Sequence, residues 1–190
     1  MIVSSPEQQK RGLVNNAMVS WVDMTPTILD WAGTAGPTKY QMPGKSFLPL
    51  LETENPTGRD EVFFSHVFHE ITMYYPMRGM RTRQFKYLVN LNSEIEFPFA
   101  SDLYGSPTWQ GVLKRKDKML GSRTAKAYVH RAPEELYDLS KDPQEARNVA
   151  NDPHYAATLK ELRQRLQDWR KRTNDPWLIL DDYKANATFK

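Results

Sequence analysis

The sequence contains no cysteine among its 190 residues. This absence excludes disulfide bonds, thiolate-held metal ions and cysteine nucleophiles from the chemistry of the chain. Glycine is also scarce, with 9 glycines against 13 prolines, which indicates many turns and irregular connections. No apolar run approaches the roughly 18 to 20 residues that a membrane-spanning helix needs, so we expect no membrane partner.

Charge is nearly balanced, with 26 basic against 23 acidic residues and a formal net charge of +3. The basic residues concentrate in two segments, 114–118 and 159–172. Such clusters are typical of surfaces that bind a polyanion, whether nucleic acid or sulfated glycan. In the second segment Glu161 and Asp168 interleave with the basic side chains, which favours an ordinary solvated helix face. We therefore expect no nucleic-acid partner.

Four stretches predict strands, the first of them rich in β-branched and aromatic residues and the second and third separated only by Gln84. They lie at 61–68, 77–83, 85–91 and 134–139. Along the chain the order is a helix, several strands, an irregular segment, one more strand and a long helix. This order predicts an α+β fold with a small antiparallel sheet.

The long helix is predicted at 153–172. Asp152 and Pro153 supply an N-cap and a proline for the first turn. An apolar stripe then follows with alternating spacings of four and three, at Tyr155, Leu159, Leu162, Leu166 and Trp169. Such a stripe needs an apolar partner surface, so we expect this helix to lie across one face of the four-stranded sheet.

The remaining segments are less regular. Met1–Ser4 has the composition of a short strand, and a helix is predicted from about Pro26 to a stop at Gly33. Residues 92–133 are aromatic and rich in turns, and an irregular stretch of this length is usually functional or packed on a neighbour. The end of the chain, 181–190, has no periodicity and is expected to be a tail.

Two acidic groups resemble catalytic or metal sites at first sight. Asp23, Thr27 and Asp30 share one helical face, but capping and solvation explain them without any chemistry. Asp181 and Asp182 are adjacent carboxylates in an unpatterned stretch, with no other residue at a ligand spacing. We therefore expect no catalytic residue and no metal site in this chain.

The segment 65–80 carries the strongest candidate for a binding site. His69, Glu70 and Arg78 follow an apolar strand and would suit a polar, anionic sugar, because they offer donors for its hydroxyls, a carboxylate acceptor and a guanidinium fork for sulfate or carboxylate. On a regular strand His66 and His69 face opposite sides, so they form no joint metal site unless a turn intervenes. The alternative is that these are satisfied polar groups at a strand end, with Arg78 paired to Glu70. The residues by themselves leave both interpretations open.

Several segments resemble sulfatases, and they occur in the order expected of that family. A Val-Ser pair, an Asp and a Pro-Thr step lead into a helix that ends in Ala-Gly at 17–33. Gly-x-Ser-x-x-Pro-Leu-Leu lies in 44–52, and Glu-Leu-Tyr-Asp-Leu precedes Asp-Pro, Glu and Asn-Ala in 134–153. The segments that look most like the sulfamidase (N-sulfoglucosamine sulfohydrolase) type are 69–80, 106–113 and 175–179. The resemblance extends over roughly residues 1–180.

The resemblance implies a fold and a reaction. Residues 1–60 would be the end of the alkaline-phosphatase-like α/β domain of a sulfatase, and 61–180 its smaller C-terminal subdomain. Sulfatases hydrolyse sulfate esters or N-sulfate, here of a glycan such as heparan sulfate. Their nucleophile is a formylglycine made within a Cys/Ser-x-Pro-x-Arg motif beside a calcium ion. This chain contains no such motif, so both groups are expected in an N-terminal part preceding Met1.

The resemblance also implies partners and a site. The expected partners are the N-terminal sulfatase domain and a sulfated glycan, with His69, Glu70 and Arg78 forming part of the substrate pocket. Two alternatives stay open. One is a non-catalytic module that binds polyanions through 114–126 and the last helix, and the other is a subunit that completes a sulfatase site in trans. Family members are typically exported, and the residues give no location for this chain.

Overall fold

The computed structural model describes residues 1–37 and 39–181. The chain divides into two compact units, Met1–Val62 and the residues from Phe63 onward, called unit 1 and unit 2. The expected tail at 181–190, with Asp182, lies outside the described residues apart from Asp181. None of the described helices is long and apolar enough to cross a membrane.

Unit 1 contains one helix and two single turns. A 3-10 turn at Trp21–Asp23 leads directly into helix α1 (Met24–Trp31), and a second 3-10 turn covers Leu48–Leu50. The helix begins two residues before the predicted Pro26, because a proline in the first turn has no intrahelical hydrogen bond to lose. It stops as predicted at Gly33, whose φ of +65° suits a residue without a side chain.

The Asp23 carboxylate organises the polar interior of unit 1. Its Oδ2 accepts hydrogen bonds from the backbone N–H of Ser20 at 3.0 Å and from Nη1 of Arg59 at 3.1 Å. Its Oδ1 accepts from the backbone N–H of Lys45 at 2.8 Å. Asp23 is therefore a buried capping and bridging residue, which confirms the structural explanation of the acidic face of α1.

Unit 1 has little apolar core among its described residues. Phe47 is its one buried large apolar side chain, whereas Trp21, Ile28 and Trp31 are 88%, 57% and 61% exposed. Met1–Ser4 forms no strand, so that prediction was wrong. A strand is stable only when its N–H and C=O groups bond to a neighbouring strand, and none of the described residues offers Met1–Ser4 one.

Unit 2 is built on a four-stranded antiparallel sheet in the order β1–β2–β3–β6, as predicted, together with a two-stranded ribbon of β4 and β5. Strand β2 begins three residues earlier than predicted. It accommodates Pro76 because the proline lacks only a donor, and its carbonyl still accepts from Leu91 N at 3.0 Å. The strands are β1 (Glu61–Phe68), β2 (Tyr74–Thr82), β3 (Phe85–Asn90), β4 (Met119–Leu120), β5 (Arg123–Thr124) and β6 (Glu134–Asp138).

Helices in unit 2 are short except for the last. The irregular region 92–133 contains three of them, and the β4–β5 ribbon lies between the second and the third. A 3-10 turn at Pro153–Tyr155 precedes the long helix, so the predicted helix 153–172 is confirmed. The helices are α2 (Ser101–Gly105), α3 (Pro107–Arg115), α4 (Ala125–Val129) and α5 (Ala156–Arg172).

The main core lies between α5 and one face of the sheet. In the strand register Met80 is opposite Tyr87, and Tyr87 is opposite Leu136, so these three side chains share a face. The predicted stripe of α5 packs on them through its buried residues Leu159, Leu162 and Leu166. The opposite face carries a second, smaller apolar cluster of Tyr75, Met77, Leu88 and Tyr137.

Candidate functional site in unit 2

Strands β1 and β2 are joined by a short loop, residues 69–73, which we call the hairpin tip. Strand β1 ends at Phe68, and His69 and Glu70 follow it directly. Within the tip the Met73 N–H donates to the Glu70 carbonyl at 2.9 Å, which closes a turn. The tip therefore displays two of the three predicted site residues, His69 and Glu70, at the end of the β1–β2 hairpin.

Glu70 is held by two neighbours. It accepts hydrogen bonds from the backbone N–H of Ser101, from the Ser101 hydroxyl at 3.1 Å and from the Thr72 hydroxyl at 3.0 Å. The Ser101 N–H is the largest cause of a lowered pKa for Glu70, followed by the Thr72 hydroxyl. Glu70 is therefore an ionised acceptor at neutral pH, beside the exposed side chain of His69.

His66 does not belong to this pair. Its Nδ1 lies 3.1 Å from the Tyr75 carbonyl oxygen, a backbone acceptor on the neighbouring strand β2. His66 is half-buried within β1, and His69 is exposed beyond its end. In the described part of the chain no three His, Asp or Glu side chains are grouped as metal ligands.

Arg78 lies in the interior of unit 2. Its Nε and Nη2 donate to the two carboxylate oxygens of Asp175 at 2.9 and 2.7 Å. Its Nη1 donates to the backbone carbonyls of His66 and Met77 at 3.2 and 2.9 Å. The side chain is only 4% exposed. The alternative in which Arg78 pairs with Glu70 is therefore excluded, because the carboxylate partner of Arg78 is Asp175.

Asp175 lies just beyond α5, in a segment that we call the C-terminal turn (residues 173–177). Asn174 adopts a φ of 51°, a left-handed conformation that asparagine tolerates and that reverses the chain. Asp175 then accepts hydrogen bonds from Nε of Arg170 at 2.8 Å as well as from Arg78. Burial disfavours the charged carboxylate, but these hydrogen bonds outweigh it and lower the pKa of Asp175. The turn is thus a charged anchor inside unit 2.

Trp177 completes this arrangement. The guanidinium carbon of Arg78 lies 4.9 Å from the centre of the Trp177 ring, within the range of a cation–π contact. The indole Nε1 donates to the Tyr74 hydroxyl at 3.1 Å. Sequence reasoning missed the roles of Asp175 and Trp177. The available signal was an Asp-Pro-Trp step directly after the end of the longest helix.

The three predicted site residues therefore separate into two groups. His69 and Glu70 lie together on the hairpin tip, and Arg78 lies behind it in a buried ion pair. Arg78 or His69 was expected to point toward a sugar, and in this geometry Arg78 is buried and paired with Asp175, whereas His69 is exposed. Contact of His69 and Glu70 with a substrate stays a prediction.

The family model described as "N-sulphoglucosamine sulphohydrolase, C-terminal" matches residues 1–119 of the chain. The chain belongs to this family. The human N-sulphoglucosamine sulphohydrolase (Homo sapiens) is 42% identical over 195 residues, covering 96% of this chain and 38% of the relative. An ulvan-active sulfatase of Formosa agariphila is 31% identical, over 90% of this chain and 32% of the relative.

Solved structures agree with this membership. One solved structure, described as a complex with its substrate D-glucosamine-2-N,6-O-disulfate, has a TM-score of 0.52 and 25% identity. The match covers 81% of this chain and 24% of the neighbour. The N-sulphoglucosamine sulphohydrolase C-terminal family thus accounts for the α+β architecture, and the chain spans well under half the length of the relatives it matches.

Proposed function

We propose that this chain is the C-terminal part of a sulfatase that hydrolyses sulfate esters or N-sulfate of a glycan such as heparan sulfate. It contributes structure and part of the substrate pocket. The observation that carries the proposal is the 42% identity to the human N-sulphoglucosamine sulphohydrolase over 96% of this chain. The ulvan-active relative is named for another glycan. We therefore propose a sulfated glycan as the class, with N-sulfoglucosamine as the sugar to test first.

The hairpin tip is the part of the chain that we assign to sugar recognition. Glu70 is ionised and partly exposed, so it can accept hydrogen bonds from sugar hydroxyls in addition to those from Ser101 and Thr72. His69 is exposed beside it and can donate to a hydroxyl or a sulfate oxygen. Arg78 supports the tip from behind and makes no contact with the glycan.

The calcium ion and formylglycine of sulfatases do not fit the residues of this chain. The sequence has no cysteine and no Ser-x-Pro-x-Arg motif. The described residues group no three His, Asp or Glu side chains as metal ligands. We therefore propose that a separate catalytic part supplies the nucleophile and the metal, and we assign no step of the hydrolysis to this chain.

Unit 1 offers a surface for that catalytic part. Trp21, Ile28 and Trp31 leave large apolar side chains more than half exposed on and beside α1. Exposed apolar side chains grouped in this way usually mark an interaction surface. This chain matches 38% of the human relative, so more than half of that relative lies outside the match. We propose that the catalytic part of the same enzyme covers this face.

The polyanion-binding alternative is less well supported by the basic segments. In segment 114–118, Arg115 donates to the carboxylate of Asp117 from Nε at 3.0 Å and from Nη2 at 2.6 Å. On α5, Arg163 pairs with Glu134, and Arg165 lies 3.0 Å from Glu161. Intramolecular pairing of this kind reduces the positive charge available to a polyanion.

Release of inorganic sulfate by the complete protein that contains this chain tests the proposal. N-sulfoglucosamine, glucosamine 6-O-sulfate and an aryl sulfate are offered separately. Release from N-sulfoglucosamine or the 6-O-sulfated sugar supports the proposal, and release from none of the three contradicts it. Tight, salt-sensitive heparin binding by the isolated chain without any hydrolysis by the complete protein would favour the polyanion-binding module. Hydrolysis that appears only after a separate catalytic chain is added would show the trans arrangement.

A further inference from the structure

The hairpin tip is tied to the rest of unit 2 on both flanks. On one flank Glu70 accepts hydrogen bonds from Ser101, the first residue of α2. On the other flank Trp177 donates to the hydroxyl of Tyr74, the first residue of β2 after the tip. Trp177 and Tyr74 are 103 residues apart in sequence. This bond therefore connects the C-terminal turn directly to the base of the tip.

The C-terminal turn also holds β1 and β2 together below the tip. Asp175 occupies Nε and Nη2 of Arg78, and Nη1 of the same guanidinium donates to the His66 carbonyl of β1. The Trp177 ring lies beside that guanidinium. Because the fork of Arg78 is held by a carboxylate and by the backbone carbonyls of His66 and Met77, its side chain has few other orientations available. The turn thereby limits how the hairpin can bend.

We propose that Asp175 and Trp177 are positioning residues for sugar recognition, which fix the orientation of the hairpin tip and hence of His69 and Glu70. This inference rests on the proposed function, because it takes the tip as the part that contacts the glycan. Neither Asp175 nor Trp177 touches the glycan. A change in the C-terminal turn therefore weakens glycan binding without altering the groups that contact the sugar.

Of the contacts that hold the hairpin tip, the Trp177–Tyr74 hydrogen bond can be removed with the least disturbance of unit 2. It lies at the surface, whereas the main core under α5 is built from other residues. Exposed loops open locally at lower free energy than the core does, so loss of the bond should loosen the tip without unfolding unit 2. Asp175→Asn is the more obvious variant, but it removes the carboxylate that neutralises both Arg78 and Arg170 and can prevent folding.

Hydrogen–deuterium exchange of the tip amides in the 190-residue chain is the first readout. Trp177→Phe keeps a ring beside Arg78 and removes the donor, and Tyr74→Phe removes its partner. Loss of one hydrogen bond predicts about two- to tenfold faster tip exchange in each single variant. The double variant should exchange no faster than the single variants, because all three lack the same bond. Tip exchange at the parental rate in Trp177→Phe overturns the proposal.

Trp109→Phe is the matched control. Its indole N–H is buried and has no hydrogen-bond partner among the described residues, so removing it breaks no bond. Its tip amides should exchange at the parental rate. Tip exchange as fast in Trp109→Phe as in Trp177→Phe would overturn the proposal, because loosening would then follow from any loss of an indole.

Steady-state kinetics of the complete protein are the second readout. Trp177→Phe should raise KM for N-sulfoglucosamine by about two- to tenfold and leave kcat near the parental value, because binding is weakened and the chemistry is untouched. An unchanged KM despite a loosened tip overturns the positioning role. If the parental protein hydrolyses no sulfated sugar, the proposed function fails, and the role of Asp175 and Trp177 in recognition fails with it. The exchange result would still show that the C-terminal turn holds the hairpin tip. The two failures are thus distinguishable.

Discussion

Arg78 and Asp175, which are 97 residues apart in the sequence, form a two-point ion pair in the interior of unit 2. Their side chains are 4% and 3% exposed. Arg170 donates to the same carboxylate and also pairs with Asp181 at 2.7 Å. Two guanidiniums thus share Asp175, and this network joins the end of α5 to the strand that follows the hairpin tip.

Asp175→Asn should destabilise the chain strongly. The amide leaves two buried guanidiniums without their common carboxylate, and breaking a buried ion pair in this way costs about 3–5 kcal/mol. Urea unfolding followed by circular dichroism measures the change. Glu161→Gln is the control, since it removes an exposed pair on α5 with an expected effect of about 0.5 kcal/mol or less. Equal stability of the two variants would contradict the structural role of Asp175.

Leu162→Ala tests the packing of α5 on the sheet. Leu162 is 2% exposed within the main core, so its truncation should lower the free energy of unfolding by about 2–5 kcal/mol. Leu113→Ala on α3 is a suitable comparison, because Leu113 is 43% exposed and its loss should cost much less. If the two leucines have the same effect, Leu162 does not lie in the core of the protein in solution.

The layout of unit 2 was predictable because its signals are local. Local sequence patterns located all four strands to within a few residues, and the stripe from Tyr155 to Trp169 identified α5 and its buried face. Met1–Ser4 was mispredicted, because its composition favours a strand and composition cannot show whether a neighbouring strand is present. The start of β2 was placed three residues too late, and only the sheet shows that Pro76 lies within the strand with its carbonyl still bonded.

The candidate site was predictable only in part. His69 and Glu70 follow a strand end directly, so a local pattern was enough to place them on a loop. The environment of Arg78 depends on Asp175 and Trp177, which lie about a hundred residues further along the chain, and no spacing rule connects them. The nearest carboxylate in sequence, Glu70, was therefore the partner considered for Arg78 in the alternative interpretation, whereas Glu70 is bonded to Ser101 and Thr72.

Acid should weaken the fold through Asp138. Burial opposes its ionisation, but hydrogen bonds from Ser140, Tyr155 and Gln84 outweigh this and lower its pKa from 3.8 to about 2. A carboxyl group with a lowered folded pKa stabilises the fold above its unfolded pKa, and the contribution disappears as pH falls through the folded value. The stabilisation is therefore present above about pH 4 and is lost toward about pH 2.

Asp138→Asn isolates this contribution, because position 138 then no longer titrates. Free energies of unfolding for the parent and the variant are compared at a series of pH values. The stability advantage of the parent should shrink as pH falls across this window. A constant difference would show that the ionisation of Asp138 is not coupled to folding.

The isolated 190-residue chain should release no sulfate from N-sulfoglucosamine or aryl sulfates, with or without calcium. Hydrolysis needs an activated nucleophile and a cationic centre for the charge on the transferring sulfuryl group. The sequence offers no cysteine or Ser-x-Pro-x-Arg motif as the source of that nucleophile. Sulfate release is measured against a buffer blank, using a preparation freed of contaminating sulfatases. Turnover above the blank would show that the chain carries a catalytic centre of its own.

The assignment of the hairpin tip is tested most directly by steady-state kinetics of two variants of the complete protein. The variants are His69→Gln and Glu70→Gln, made separately. Glutamine at position 70 keeps an acceptor for Ser101 but removes the charge, and glutamine at position 69 removes the imidazole. Each variant should lower kcat/KM on N-sulfoglucosamine by about tenfold, while Glu161→Gln on α5 leaves it unchanged. If kcat/KM for both variants stays within about twofold of the parent, the loss of transition-state stabilisation is roughly 0.5 kcal/mol or less. That result would show that the tip is scaffold and does not contact the sugar.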